Sequence, residues 1–297
     1  MERIGSSVYQ QNRTVIHLLA GAMLISFSSV WVNLAHVAPS VSAFYRVFFG
    51  TCVLFAATVL KREFQVLTVS VVLLVCVCGL LFALDLYFWH RSIGYIGPGL
   101  ATLTSNFQVF ILSAVGIFFF KEKLQWLFVV SIVCAILGLN LIVGVDWNTL
   151  GPDYRLGLFF GILTAVCYSG FLLMVRKIQT GRISFFYYLM LVSLVSSLAL
   201  GLKIVLSGDT FVIPDLQSLL SLLALGVLSQ VIGWVIISNS LPHLKPSHAG
   251  LILLLQPALS FVWDVLLFHR STTTSNWVGV GVTLGAIYLG TMSRTRA

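Results

Sequence analysis

Residues 89–123 read WHRSIGYIGPGLATLTSNFQVFILSAVGIFFFKEK. The stretch closes one apolar segment, turns through Gly94, Gly97, Pro98 and Gly99, and then runs 23 residues without a charge. A run of that length crosses a bilayer as one helix. Pro98 suits its first turn, where a missing N–H leaves no bond unmade. Lys121, Glu122 and Lys123 stop the run. Asn106 and Gln108 sit near its middle, where a helix facing only lipid carries no polar groups.

The same design recurs. A shift of 148 residues lays SLPHLKPSHAGLILLLQPALSFVWDVLLFHR on the segment that begins at Ser92. Pro98 meets Pro246, Ala101 meets Ala249, Leu103 meets Leu251, Gln108 meets Gln256 and Phe120 meets Phe268. Matching prolines and glutamines at equivalent depths indicate an internal duplication.

Composition sets the class. The 297 residues are 59% hydrophobic and 9% charged, against roughly a quarter charged in soluble domains. The chain reads as a polytopic membrane protein. Its net charge of +8 is scattered at segment ends, so no basic face offers itself to nucleic acid. The cysteines, Cys52, Cys76, Cys78, Cys134 and Cys167, lie inside apolar segments, which argues against disulfides, and they lack metal-ligand spacing. The first apolar segment has no small-residue cleavage site after it, so it reads as a span and not as a signal peptide.

Ten spans are expected, roughly at 15–34, 40–60, 66–90, 97–120, 124–145, 156–176, 184–205, 216–241, 246–267 and 275–293. Helices are the spanning form, because a β-barrel requires short alternating segments. One side receives twelve Lys and Arg residues, among them Lys61, Lys121, Arg176 and Lys245; the other receives four, Arg91, Arg155, Lys203 and Arg270. The richer side is expected to be cytoplasmic, with both termini there, in a cell's plasma (inner) membrane. Five spans per half is odd, so the halves enter the membrane from opposite sides. The expected fold is all-α, ten transmembrane helices in two inverted five-helix repeats. Residues 1–14 form a cytoplasmic tail, 15–146 the first repeat, 147–155 an external linker, 156–293 the second repeat and 294–297 a second cytoplasmic tail.

The segments APSVSAFYRVFFG, FWHRSIGYIGPGLATLTSNFQVF, FFFKEKL and NSLPHLKPSHAGLILLLQPALSF, in that order, resemble the drug/metabolite transporter superfamily, in particular its EamA-type ten-helix carriers. The resemblance covers nearly the whole chain. It departs from the family's pattern where only the second repeat keeps Leu-x-Pro, as Leu255-Gln256-Pro257, and where Arg270 replaces a second glutamate. It implies secondary transport of a small organic solute, an amino acid or related metabolite.

Three charges lie inside spans: Arg46 in the second, Asp85 in the third and Asp264 in the ninth. A charge at that depth costs several kcal/mol unless paired or hydrated. Arg46 is therefore expected to pair with Asp85 or Asp264. The alternatives are that Asp85 exchanges a proton, that Arg46 holds a solute carboxylate, or that these groups edge a hydrated cavity. Thr102 and Asn106 share a helix face, whereas Gln108 points elsewhere; all three suit either solute contact or hydrogen bonding between helices. Gln256 adjoins Pro257, which breaks the helical ladder and frees a carbonyl. Gln230, Trp234 and Ser238 form an i, i+4, i+8 stripe on the eighth span, and Asp85 and Trp89 an i, i+4 pair on the third. Trp89 also suits an interfacial anchor. Tyr168 and Ser169 in the sixth span are weaker candidates, with packing as their default. The solute is expected near the bilayer midplane, contacted by the fourth, eighth and ninth spans.

No Gly-Lys-Ser phosphate loop and no His-Glu-x-x-His pattern occurs, so neither ATP-driven pumping nor a metal is expected, and no cofactor. The expected partners are a small-molecule solute and the lipid bilayer, with the chain a monomer or weak homodimer. A membrane-embedded enzyme acting on a lipid-linked substrate is the competing class, and Asp85, His90 and Arg91 are its one candidate constellation. A passive channel is disfavoured, because no ring of charge or repeated filter is visible.

Overall fold

The computed structural model describes residues 2–123, 125–144, 154–179, 184–269 and 271–292, with side chains outside that description at 2–12, 94, 97–100 and 292. Regular structure among these residues is entirely helical. The first half contributes α1 (Glu2–Ser26), α2 (Ser28–Leu34), α3 (Pro39–Lys61), α4 (Val69–Ser105), α5 (Gln108–Phe120) and α6 (Trp126–Val143). The second contributes α7 (Tyr154–Gln179), α8 (Phe185–Ser207), α9 (Leu216–Ala224), a π-helical stretch (Leu225–Gly233), α10 (Trp234–Ser240), α11 (Pro246–Leu253), α12 (Leu255–Phe268) and α13 (Thr274–Met292). Nine helical runs among the described residues are long and apolar enough to cross a membrane. The tenth expected span is α13, whose 19 residues reach about 30 Å, the thickness of a bilayer's hydrocarbon core. The outer surface carries large apolar side chains such as Leu73, Phe118, Leu198 and Leu220, as a lipid-facing exterior requires.

Two boundaries differ from the sequence reading. Helix α1 begins at Glu2, well before residue 15, so the expected tail is helical over its described part. Backbone bonding also stays helical from Val69 to Ser105, through the stretch expected to turn. The chain direction nevertheless reverses there. A Cβ placed on Gly161 of α7 would meet Thr104 at 2.0 Å and Ser92 at 3.3 Å, whereas twelve residues of straight helix span about 18 Å. The side chains of Gly97, Pro98 and Gly99 and most of the linker 147–155 lie outside the described residues.

The packing obeys the duplication. Repeat-equivalent spans pair with each other: α3 with α8, α6 with α13, and in the fourth and ninth spans the second half of one, α5, with the first half of the other, α11. Helix α1 packs on the π stretch and α10, and its repeat mate α7 packs on α4, the mate of that broken helix. The self-paired helices run antiparallel. Thr283 Oγ1 donates to Ala135 O (3.5 Å) while Asn276 Nδ2 donates to Ile142 O (3.0 Å). Ser40 bonds Asp209 (3.2 Å) at one end of α3, and Lys61 lies 4.1 Å over the Phe186 ring at the other. Equivalent helices crossing in opposite directions make the two halves an inverted repeat. We call the end carrying Lys61, Lys121 and Lys245 the basic face, and the end of the 147–155 connection the linker face.

Both copies of the duplicated span break at the same place. Helix α4 gives way to α5 at Asn106 and Phe107, and α11 to α12 at Leu254, 148 residues on. Pro257 has no N–H to offer the carbonyl of Leu253, and at the break Leu254 N donates to Leu251 O (3.1 Å), a tighter i→i−3 turn. The first copy has Val109 at that position. There the Asn106 side-chain amide donates to Thr102 O (2.7 Å) beside the backbone N–H of the same residue (3.2 Å), so the last turn before the break is held twice.

Candidate functional site

The second span presents Arg46 to the broken eighth one. Arg46 Nε donates to Gln230 Oε1 (3.1 Å), and Gln230 Nε2 donates to Ser193 Oγ of α8 (3.2 Å). Close backbone approach makes this possible. A Cβ on Gly50 would lie 2.5 Å from Gln230 Cγ, and one on Gly226 would lie 2.7 Å from Phe49. Gln230 sits in the π stretch, where i→i+5 bonding widens the helix and turns its side chains out of ordinary register. The Arg46 guanidinium lies 5.8 Å from the centre of the Phe82 ring. Asp85, one turn further along α4 and 8% exposed, is within electrostatic reach of Arg46, Tyr168 and Cys167. No ion-pair contact within 4 Å joins Arg46 to Asp85; the direct partner of Arg46 among the described residues is the amide of Gln230. Asp264 is half-buried on α12, beside Trp263, whose indole donates to Ser26 Oγ (2.7 Å).

Next to the charges stands an aromatic wall. Phe82 stacks on Phe171 at 4.6 Å, and Trp234 meets Phe171, Phe82 and Tyr168 edge-on at 4.8, 5.8 and 6.2 Å. The Tyr168 hydroxyl lies near the Gln256 side chain, short of a hydrogen bond to its Nε2. Several buried polar atoms make no hydrogen bond among the described residues: Trp234 Nε1 and Gln256 Nε2 beside this wall, and Gln108 Oε1 and Ser113 Oγ on α5. Native structures leave few such groups unpaired, because each costs about 1–3 kcal/mol. The unpaired glutamine atoms are repeat-equivalent and come from both halves.

Other sequence candidates fall elsewhere or turn inward. Asn106 caps its own helix through Thr102 O, so the pair serves the helix break. Trp89 stands edge-on to His90 at 5.1 Å near the linker face, apart from the aromatic wall. Ser169 Oγ bonds Ala165 O (2.7 Å) and approaches Gln108 O (3.5 Å). Sequence reasoning missed Phe82, Phe171 and Ser193. Phe82 lies three residues before Asp85, and Phe171 three after Tyr168, a spacing that could have found them.

Toward the basic face the bundle is latched. Arg176 of α7 donates to Leu241 O (3.2 Å) and to Leu244 O, at the turn between α10 and α11. Its guanidinium lies 5.1 Å from the Phe120 ring centre, and it is within electrostatic reach of Glu122, whose carboxylate accepts from Ser247. Leu112, Leu172, Leu241 and Ala249 line a small apolar pocket beside Arg176.

Residues 12–144 and 155–292 each match the EamA-like transporter family. The chain belongs to that family. The EamA-like chain is 25% identical to an uncharacterized transporter of Clostridium kluyveri over 199 residues, which cover 64% of this chain and 57% of that protein. The match thus spans less than two thirds of that relative's length. A protein of known crystal structure shares the fold, with a TM-score of 0.82 and 17% identity over 94% of this chain and 98% of its own. Membership of the drug/metabolite transporter superfamily, which the resemblance implied, is thereby shown.

Proposed function

We propose that this chain is a secondary carrier that moves a small organic metabolite, an amino acid or related solute, by alternating access. The observation that carries the reading is the set of unpaired buried groups, Gln108 Oε1, Trp234 Nε1 and Gln256 Nε2, drawn from both repeats in a bundle that also holds the buried Asp85 and the half-buried Arg46. A polar solute at the centre of an inverted-repeat bundle needs such groups to replace its lost water. Arg46 offers a fork for a carboxylate, because only its Nε is engaged by Gln230. Asp85 accepts an ammonium group or a coupling proton. Trp234, Tyr168 and Phe82 supply an apolar surface.

At the basic face Glu122 of the first repeat accepts from Ser247 of the second, and Arg176 bonds Leu241 and Leu244 within the second; alternating access requires these contacts to part when that face opens. The basic bias argues that this face and both termini are cytoplasmic. Counterflow in proteoliposomes tests the reading. Vesicles preloaded with an unlabelled amino acid should accelerate entry of the labelled one. No acceleration across a panel of amino acids and related metabolites would overturn it.

A further inference from the structure

A second site lies apart from the central cluster, in a groove of about 400 Å3 between the linker-face ends of α4 and α8. Tyr87 and Arg91 form one wall; Leu202, Lys203, Leu206 and Ser207 form the other. The two helices run parallel here. Ser196 Oγ donates to Gly79 O (2.8 Å) deeper in the bundle, and the walls rise together from that contact. Arg91 has no carboxylate partner among the described residues; its guanidinium rests 5.6 Å from the Phe160 ring centre and 5.9 Å from that of Tyr95. Lys203 is shared only with the exposed Asp209, at 3.0 Å. The groove therefore carries net positive charge. It lies where α4 and α8 reach the end of their apolar runs, the depth of a bilayer's phosphates. Below it the surface is apolar and open, with Leu202 60% and Leu198 66% exposed.

We propose that this groove binds an anionic phospholipid, with the headgroup phosphate held between Arg91 and Lys203. Tyr87 and Ser207 place hydroxyls within the same groove, and Leu198, Leu202 and Leu206 receive an acyl chain. A soluble anion satisfies the cations but leaves the apolar flank uncovered, which is why the geometry favours a lipid. Asp209 competes with the phosphate for Lys203.

The test is native mass spectrometry of the full-length protein, delipidated in detergent and titrated with phosphatidylglycerol or with phosphatidylcholine of the same chains. Phosphatidylglycerol should be retained at least about fivefold more strongly, since each basic residue near an anionic lipid contributes a factor of about five. Arg91→Gln and Lys203→Gln should each lower retention about fivefold, while Lys123→Gln at the opposite end changes nothing. Asp209→Asn, an exposed change that spares the fold, should raise retention. Equal retention by wild type and both basic-residue variants would overturn the site. Displacement of the lipid by an equal concentration of glycerol 1-phosphate would overturn the lipid as its occupant.

Discussion

Arg46 Nε and Gln230 Oε1 stand 3.1 Å apart, and this bond joins the second helix of one repeat to the π stretch of the other. Hydrogen bonds to a charged group contribute about 1.5–3 kcal/mol. Gln230→Ala should therefore lower unfolding stability by about 2 kcal/mol and loosen the position of the guanidinium. Arg46→Lys keeps the charge but loses the planar fork, and should reduce solute binding about tenfold or more in a folded protein. Equilibrium binding beside a detergent melting curve separates the two effects. Arg46→Lys binding at wild-type strength would remove Arg46 from the site.

Asp85 is the one buried carboxylate among the described residues. If it carries the coupling proton, Asp85→Asn should leave exchange of labelled for unlabelled solute intact while abolishing accumulation driven by an imposed pH gradient. Loss of exchange as well would mean that Asp85 holds the solute or the fold instead.

The latch at the basic face gives a third expectation. Arg176→Ala removes bonds to the carbonyls of Leu241 and Leu244. If the basic face opens during transport, as the proposed cycle requires, loss of charge-assisted bonds of this kind is worth a tenfold or larger shift toward the open form. On a background without native cysteines, Ala249→Cys should react with a polar maleimide from the basic side about tenfold faster when Arg176 is absent. Ala249 is 2% exposed, so an unchanged rate would place the gate elsewhere.

Much of this was legible in the sequence, for identifiable reasons. The spans are visible because a bilayer admits only long apolar helices. The 148-residue offset set Gln108 and Gln256 at equivalent depths, and Pro257 announced the break before them. The partner of Arg46 was not legible. Sequence patterns offer acids as partners for a buried arginine, and a π stretch changes which side chains face inward without any proline or glycine pattern that specifies it. Gly226 and Gly233 flank Gln230, but they read equally well as small residues for helix contact. Phe82 and Phe171 were hidden because an apolar residue in a membrane helix suits lipid and core alike. The break at Asn106 went unread because Asn there suits solute contact as well as capping.

Two carboxyls between α8 and α9 set a pH dependence. Asp209 is held below the usual carboxylate range, first by the hydrogen bond and charge of Lys203. Asp215 is held low first by the N–H of Ser218 and next by His36. A depressed carboxyl contributes stability above its unfolded value, near about 4, and loses it as pH falls through its folded value. The melting temperature should therefore be insensitive to these groups from pH 7 to about 5 and decline below about 4. The Asp209→Asn, Asp215→Asn double variant should show a shallower decline. An identical acid limb in the two proteins would assign acid sensitivity to other groups.

The last expectation returns to the close approach that lets Arg46 meet Gln230. Gly50 faces the π stretch so tightly that an added Cβ would sit 2.5 Å from Gln230 Cγ and 3.1 Å from its Cβ. These atoms lie near the root of the glutamine side chain, so swinging its tip cannot relieve the clash. Either α3 and the π stretch separate, or Gln230 changes rotamer and gives up Arg46 and Ser193. Both outcomes disturb the guanidinium without touching its charge. Gly50→Ala should thus lower solute affinity about as much as Gln230→Ala, while the double variant, with the glutamine removed, should cost little beyond either single change. That non-additivity marks a shared pathway, since independent sites add within a few tenths of a kcal/mol. Trp234→Ala, which leaves the α3 contact alone, should instead add in full to Gly50→Ala. Full additivity of Gly50→Ala with Gln230→Ala in a binding titration would show that the glycine acts on solute through something other than the Arg46–Gln230 bond.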